Sequence, residues 1–142
     1  MSRPSGNSEG SRPRPKPAGS SREILAGDFK MSDGKRRGSL MLLELSGRLD
    51  GRAAQLVQQR CAELRAQGMH VLGLDLSQVT FLASSGLGVF LAETEEFKEA
   101  KGSLHLIAVS SVVSSVVNLL NVGRFLSLVP SVDDLVVGKG SR

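Results

Sequence analysis

Two neighbouring hydroxyl groups, on Ser84 and Ser85, stand where a strand pattern gives way to a helix pattern. The run from Leu74 to Gly88 predicts a buried strand, a loop of several residues and the start of a helix. Functional groups of α/β folds gather at the carboxyl ends of strands, and helix N-termini offer free N–H groups with a partial positive charge. A phosphate on a serine there is tolerated locally, while about −2 of charge on an exposed surface can abolish partner docking. Ser84 and Ser85 are therefore candidates for a phosphorylation switch.

A simpler interpretation gives these hydroxyl groups a purely structural role. Serine is among the commonest residues at a helix N-terminus, where its side-chain oxygen accepts a hydrogen bond from a free backbone N–H. Spacing alone favours this interpretation, in which Ser84 or Ser85 only caps the helix. Both interpretations predict that the helix begins at these residues.

Other chemistries find little support in the sequence. Gly86 and Gly88 do not continue into a dinucleotide fingerprint, because position 91 is Leu, and no phosphate-loop Gly-Lys-Ser/Thr follows them. Paired-carboxylate catalysis would need Asp50 and Asp75, the only carboxylates expected near strand ends, to lie close together. The three residues with soft or nitrogen ligands lack metal-site spacing, and we expect structural roles for them: Cys61, His70 and His105. We therefore predict neither an enzyme nor a metal or cofactor site.

The elements that position Ser84 and Ser85 alternate between strand and helix. Asp50 is predicted as the N-cap of the first helix, and turns are predicted at Asp33-Gly34 and Ser46-Gly47. The predicted strands are 24–31, 39–45, 70–76, 103–109 and 125–129, and the predicted helices are 51–67, 85–101, 111–121 and a short 131–136. The valines of 111–121 also suit a strand, but their spacing after a serine cap favours a helix. This order predicts one α/β domain.

Composition and charge bound the class of protein. The chain has 142 residues, 40% of them hydrophobic, and no apolar run approaches the ~18 residues of a membrane span. A single cysteine excludes an intramolecular disulfide and favours a reducing compartment. Residues 1–22 are rich in Pro and Ser and hold five basic groups and one acidic group, which accounts for the whole net charge of +4. We predict a disordered basic tail at 1–22 and a folded part without the basic field that nucleic acid requires.

Three segments resemble the STAS domain, the sulphate-transporter and anti-sigma-factor-antagonist family. The run from Asp75 to Gly88 resembles the family signature, and Leu45–Asp50 resembles its strand-end Gly-x-Leu-Asp turn. The run Val117–Gly123, with Phe125, resembles the third helix of the family and the glycine that follows it. The resemblance covers 23–137, leaves 138–142 as a short flexible C-terminus, and implies a small mixed β-sheet with helices packed mainly on one face.

The resemblance also implies a function. STAS antagonists bind an anti-sigma factor, often a serine kinase, and thereby free a sigma factor for RNA polymerase. The kinase, which holds ATP and Mg²⁺, phosphorylates the serine before the Gly-Leu pair, which is Ser85 here with Ser84 as neighbour, and a phosphatase reverses the modification. The chain would then be a cytoplasmic, monomeric substrate without cofactors of its own. The expected partner-binding residues are Asp50, Ser84, Ser85, Gly86 and Leu87.

One position departs from the family pattern. Ala83 stands where the family usually has Asp, two residues before the phosphorylated serine. This departure motivates an alternative function, in which the chain is a STAS module that is not phosphorylated. Such modules serve as scaffolds or accessory parts of stress-signalling or lipid-transport complexes.

Overall fold

One mixed sheet of six strands forms the centre of the fold. The computed structural model describes residues 23–134, and its strands follow chain order across the sheet. The first three strands pair antiparallel, and the third to the sixth pair parallel. They are β1 (Glu23–Ala26), β2 (Phe29–Arg37), β3 (Leu40–Leu49), β4 (Val71–Leu82), β5 (Ser103–Ile107) and β6 (Leu128–Val129).

The parallel strands are joined by helices, as parallel pairing requires. Within residues 23–134 these are α1 (Gly51–Ala66) between β3 and β4, α2 (Ser84–Glu99) between β4 and β5, and α3 (Ser111–Leu119) between β5 and β6. A 3₁₀ turn at Gly123–Phe125 leads into β6. The predicted α/β class, with a small mixed sheet, is confirmed.

The hydrophobic core lies between one face of the sheet and these helices. Alternate residues of a strand point to the same face of the sheet, so every second side chain along a strand faces this core. On the strands the core includes Leu43, Leu45, Leu72, Leu74, Leu76, Leu104 and Leu106, and on the helices Val57, Phe90, Phe97, Val113 and Val117. The packing of helices mainly on one face, which the family resemblance implied, is therefore present.

The N-terminal hairpins differ from the prediction. Residues 24–31 were expected as one strand, but a turn at Gly27, where φ is +60°, divides them between β1 and β2. The predicted turn at Asp33-Gly34 is wrong, because both residues lie inside β2, and the chain reverses instead at Gly38, where φ is +61°. Glycine adopts this left-handed conformation without steric cost, so these two glycines decide the turns.

The strands that lead to the serines are longer than predicted. The turn expected at Ser46-Gly47 and the loop expected after Leu76 are both wrong, because β3 continues to Leu49 and β4 to Leu82. The register between β3 and β4 shifts at two places, where β4 has one more residue than β3. At the first shift the Asp75 carboxylate accepts hydrogen bonds from the backbone N–H and hydroxyl of Ser77. These two register shifts let β3 and β4 stay paired although the alternation of apolar and polar residues is interrupted. The alternation pattern in the sequence therefore does not reveal the full length of the strands.

The three predicted long helices are confirmed to within two residues at each end. The strand expected at 125–129 is only Leu128–Val129, because the 3₁₀ turn occupies its start. The predicted tail at 1–22 and the segment 138–142 lie outside the described residues, as do the last two residues of the short helix predicted at 131–136, whose residues 132–134 are helical. The domain boundaries at 23 and 137 stay predictions.

Two arginines of α1 make buried ion pairs that sequence analysis did not find. The Arg65 guanidinium contacts Glu93 of α2, whose side chain is 4% exposed, and lies over the ring of Phe97. The Arg60 guanidinium donates two hydrogen bonds to the Asp33 carboxylate of β2, at 2.9 and 3.1 Å. These pairs tie α1 to α2 on one side and to the hairpin on the other.

Breaking the pair between α1 and α2 should be costly. Arg65→Met leaves the Glu93 carboxylate buried without its partner, and we expect a loss of about 2–4 kcal/mol in the free energy of unfolding. Lys98→Met is the matched control, because the Lys98–Glu95 pair is about two-thirds exposed on both sides and should contribute less than about 1 kcal/mol. Urea denaturation followed by circular dichroism measures both. The buried-charge explanation requires Glu93→Leu to restore part of the loss in the double variant.

Candidate functional site

The paired ends of β3 and β4 bring two helix N-termini side by side. Leu49 and Leu82 are partners in the sheet, and the backbone N–H of Ala83 donates to the Leu49 carbonyl at 3.0 Å. Each strand is followed by one capping residue and then by a helix, α1 after Asp50 and α2 after Ala83. The expected site residues Asp50, Ser84 and Ser85 are all exposed.

Asp50 caps α1, as predicted. Its backbone is extended, and its carboxylate accepts a hydrogen bond from the N–H of Ala53 at 3.0 Å. The bond satisfies one of the free donors in the first turn of the helix. The carboxylate thus has a structural task as well as an exposed position beside the serines.

Ser84 and Ser85 do not cap α2. They are the first two helical residues, and the capping position belongs to Ala83, which has no side-chain acceptor. The simpler interpretation of these serines, as helix caps, is therefore wrong. Neither hydroxyl group has a hydrogen-bond partner among residues 23–134, so both are open to other chemistry.

The Ser85 hydroxyl group lies against the start of the neighbouring helix. A Cβ atom placed on Gly51, the first residue of α1, would be 3.6 Å from Ser85 Oγ. The hydroxyl thus stands between the N-termini of α1 and α2, each of which carries a partial positive charge. Neither helix has an acidic residue in its first turn. The Asp50 carboxylate is the negative group nearest to this arrangement along the chain.

Gly86 and Leu87 lie buried beneath the exposed serines. Both are buried, and the Leu87 side chain is 2% exposed. A Cβ atom on Gly86 would lie 2.7 Å from Cδ1 of Leu82 and 2.9 Å from Cδ2 of Leu49, which is too close for a stable contact. A side chain at this position would have to push these two leucine side chains aside. We therefore expect these two residues to position the serines, whatever further contact they make with a partner.

An arginine and an aromatic ring border the site on the opposite face of the sheet. The Arg48 guanidinium lies 4.1 Å from the ring centroid of Phe81, its partner across β3 and β4. Arg48 is exposed, as is Arg52 in the first turn of α1. The sequence pattern does not reveal this pair, since only the strand register makes the two side chains neighbours.

The carboxylate pair considered for catalysis is not brought together. Asp75 is the sheet partner of Glu44 on β3, and Asp50 follows six residues further along the chain. At about 3.3 Å per strand residue, Asp50 and Asp75 are about 20 Å apart. Within residues 23–134 no group of three His, Cys, Asp or Glu side chains could hold a metal ion. No helix in that range is long and apolar enough to cross a membrane.

His105 has a structural setting, as expected. Its ring nitrogens contact Ser127 Oγ at 2.6 Å and Ser103 Oγ at 2.9 Å. Burial lowers the pKa of His105, because the charged imidazolium is poorly solvated there. A neutral imidazole, with one donor and one acceptor nitrogen, matches these two hydroxyl groups.

A family model describes most of the chain. The STAS domain model matches residues 33–135. The chain belongs to the STAS domain family. In this STAS domain the two central strands, β3 and β4, each lead into the N-terminus of a helix. Ser85 lies at the start of the second of these helices, α2.

Solved structures of similar fold include several regulators. The unphosphorylated form of the anti-sigma factor antagonist SpoIIAA has a TM-score of 0.67 at 18% identity over 78% of this chain and 96% of that one. An anti-sigma factor antagonist from Mycobacterium paratuberculosis has a TM-score of 0.69 at 23% identity over 81% and 97%. The phosphorylated form of Bacillus SpoIIAA has a TM-score of 0.60 at 17% identity over 74% and 96%. At these identities the likeness shows the fold.

The empty cap of α2 predicts a stabilising substitution. Ala83 has the extended backbone of a cap, so an aspartate there should accept a hydrogen bond from the first turn and stabilise the fold by about 1 kcal/mol. Ala92→Asp, the same change at an exposed position inside α2, should destabilise instead, because aspartate is a poor helix former. Thermal unfolding compares the two. Equal effects would mean that position 83 does not act as a cap.

The setting of His105 predicts a pH dependence of stability. Its folded-state pKa is lowered, so below pH about 6.5 the unfolded chain binds the proton more readily and stability falls as the pH is lowered. His105→Gln should remove this part of the slope between pH 7.5 and 5, measured by urea denaturation. His70→Gln, at an exposed position, should retain it. Identical slopes for His105→Gln and the wild type would contradict the assignment.

Proposed function

We propose that this STAS protein is an anti-sigma factor antagonist switched by phosphorylation of Ser85. In its unmodified form it binds an anti-sigma factor, itself a serine kinase, and so releases a sigma factor. One observation carries the proposal: the Ser85 hydroxyl is exposed, free of any capping bond and placed between two helix N-termini. Family membership and the likeness to named anti-sigma factor antagonists support it.

The phosphorylation step places this chain in the role of substrate. Ser85 Oγ attacks the γ-phosphorus of ATP held with Mg²⁺ by the kinase, and a new oxygen–phosphorus bond forms. The bond from the γ-phosphorus to its bridging oxygen breaks, ADP leaves, and the hydroxyl proton passes to a base of the kinase. A serine phosphatase returns the hydroxyl by hydrolysis. No side chain of the site has to act as a catalyst in either step.

Electrostatics explains how the modification would end binding. The phosphate adds about −2 of charge to a surface that a partner must cover, and burying that charge without a matched cation is costly. The two helix N-termini stabilise the phosphate within this chain. The fold therefore tolerates the modification, while the docked complex does not. The expected docking surface comprises Asp50, Ser84, Ser85 and the exposed side of α2, with Gly86 and Leu87 beneath it.

The same proposal assigns the protein's setting. Because sigma factors act on RNA polymerase, we place the protein in the bacterial cytoplasm as a monomer that exchanges protein partners. It regulates transcription without contacting nucleic acid itself.

A second function is favoured by the missing cap. Ala83 provides no side-chain acceptor at the position where the family usually has Asp. If presentation of the serine to a kinase depends on that carboxylate, the chain is a STAS scaffold or accessory module of a stress-signalling or lipid-transport complex. Partner binding would then be indifferent to charge at position 85.

Charge at position 85 distinguishes the two functions. Ser85→Asp should weaken binding to the anti-sigma factor more than tenfold, or over ~1.4 kcal/mol, while Ser85→Ala should bind constitutively. Calorimetric titration of a candidate anti-sigma kinase from the same genome measures both. Ser115→Asp, an exposed serine on α3, is the charge-matched control and should bind as the wild type does.

Intact-mass spectrometry tests the modification directly. After incubation with the kinase and Mg-ATP, one added phosphate should appear on the wild type and on Ser84→Ala, and should be absent from Ser85→Ala. Binding without any added phosphate would favour the scaffold. Failure of the wild type to bind any anti-sigma factor of that genome would overturn the antagonist proposal.

A further inference from the structure

Gly51 is a glycine that the fold itself does not require. It is the exposed first residue of α1, and its backbone is outside the left-handed region that favours glycine. A Cβ atom there would meet a single atom within 4 Å among the described residues, Ser85 Oγ at 3.6 Å. That distance is an ordinary van der Waals contact, so alanine would fit without moving the backbone.

Other glycines show the contrast. A Cβ atom on Gly47 would lie 2.0 Å from the Asp28 carbonyl oxygen, and one on Gly102 would lie 2.0 Å from that of His70. A Cβ atom on Gly86 would lie 2.7 Å from Cδ1 of Leu82. These glycines are explained by packing, whereas Gly51 occupies a helical position where alanine is the more favourable residue. Among residues 23–134 outside its own helix, the atom within 4 Å of a Cβ there belongs to the Ser85 hydroxyl group.

We propose that Gly51 is a positioning residue of the Ser85 site, which keeps one side of the hydroxyl group open to an incoming phosphoryl group. An alanine methyl in contact with Oγ leaves no room for another atom between them. The inference rests on the proposed function, in which Ser85 is phosphorylated.

A thiol probe measures this access without the kinase. Ser85→Cys introduces a reactive group at the start of α2, where the helix N-terminus favours the thiolate. The native Cys61 does not interfere, because it is fully buried and burial raises its pKa. The second-order rate with 5,5′-dithiobis(2-nitrobenzoate) then reports on access to position 85.

The expected rates differ between two matched substitutions. In the Ser85→Cys background, Gly51→Ala should slow the reaction several-fold and Gly51→Leu should slow it further. Gly88→Ala is the control, because it makes the same change on α2 where a Cβ atom meets nothing within 4 Å. Its rate should equal that of Ser85→Cys alone. Thermal unfolding should show that none of these variants loses stability. Equal rates for Gly51→Ala and Gly88→Ala overturn the inference.

The kinase reaction separates this inference from the proposed function. With Ser85 intact, Gly51→Ala should lower the initial rate of phosphate incorporation several-fold, whereas Ser115→Ala, at an exposed position of α3 outside the expected docking surface, should not. If the wild type and Gly51→Ala are phosphorylated equally fast, the role of Gly51 is refuted and the proposed function stands. If the wild type accepts no phosphate although it binds the kinase, the proposed phosphorylation fails, and the thiol rates still decide whether Gly51 controls access.

Discussion

The backbone pairing of the last residues of β3 and β4 determines where the exposed serines lie. Leu49 and Leu82 end their strands as partners, and each is followed by a capping residue and a helix. Two helix N-termini therefore open at the same edge of the sheet. Buried Gly86 favours this arrangement, because a side chain there would have to displace the side chains of the two leucines. The placement of the two helix starts and the position of Ser85 therefore follow from the pairing of Leu49 with Leu82.

The site combines opposing electrostatic features. The N-termini of α1 and α2 favour negative charge, while the Asp50 carboxylate, which caps α1, opposes it. Ser85 adjoins both, so a change of charge on its hydroxyl group is felt by two helices at once. Buried ion pairs of α1, with Glu93 on α2 and Asp33 on β2, hold the helix in place at a distance from the site. Such pairs favour one arrangement of the helices because separating them leaves a buried charge unpaired.

Ala83 departs from the usual family pattern, and the structure shows the physical effect of this departure at the start of α2. The residue occupies the cap of α2, where an aspartate would accept a hydrogen bond from the first turn. Its absence leaves the first turn of α2 without a side-chain acceptor and the serine hydroxyl groups unengaged. The same substitution therefore removes a stabilising bond and a negative charge beside the candidate phosphorylation site.

The sequence by itself determined the α/β class, the three long helices and the Asp50 cap, because periodic apolar residues and capping signals act over a few neighbouring residues. It also located Ser84 and Ser85 at a helix start, through the change from a strand pattern to a helix pattern. Turn positions in the hairpins and the full length of β4 escaped prediction, since Gly27, Gly38 and the register shifts depend on the partner strands. Only the tertiary structure showed that Gly51 lies beside the Ser85 hydroxyl group, that Gly86 packs near Leu49 and that Arg65 meets Glu93. Those contacts join residues about 30 positions apart, and local sequence patterns do not encode which distant surfaces meet when helices pack on a sheet.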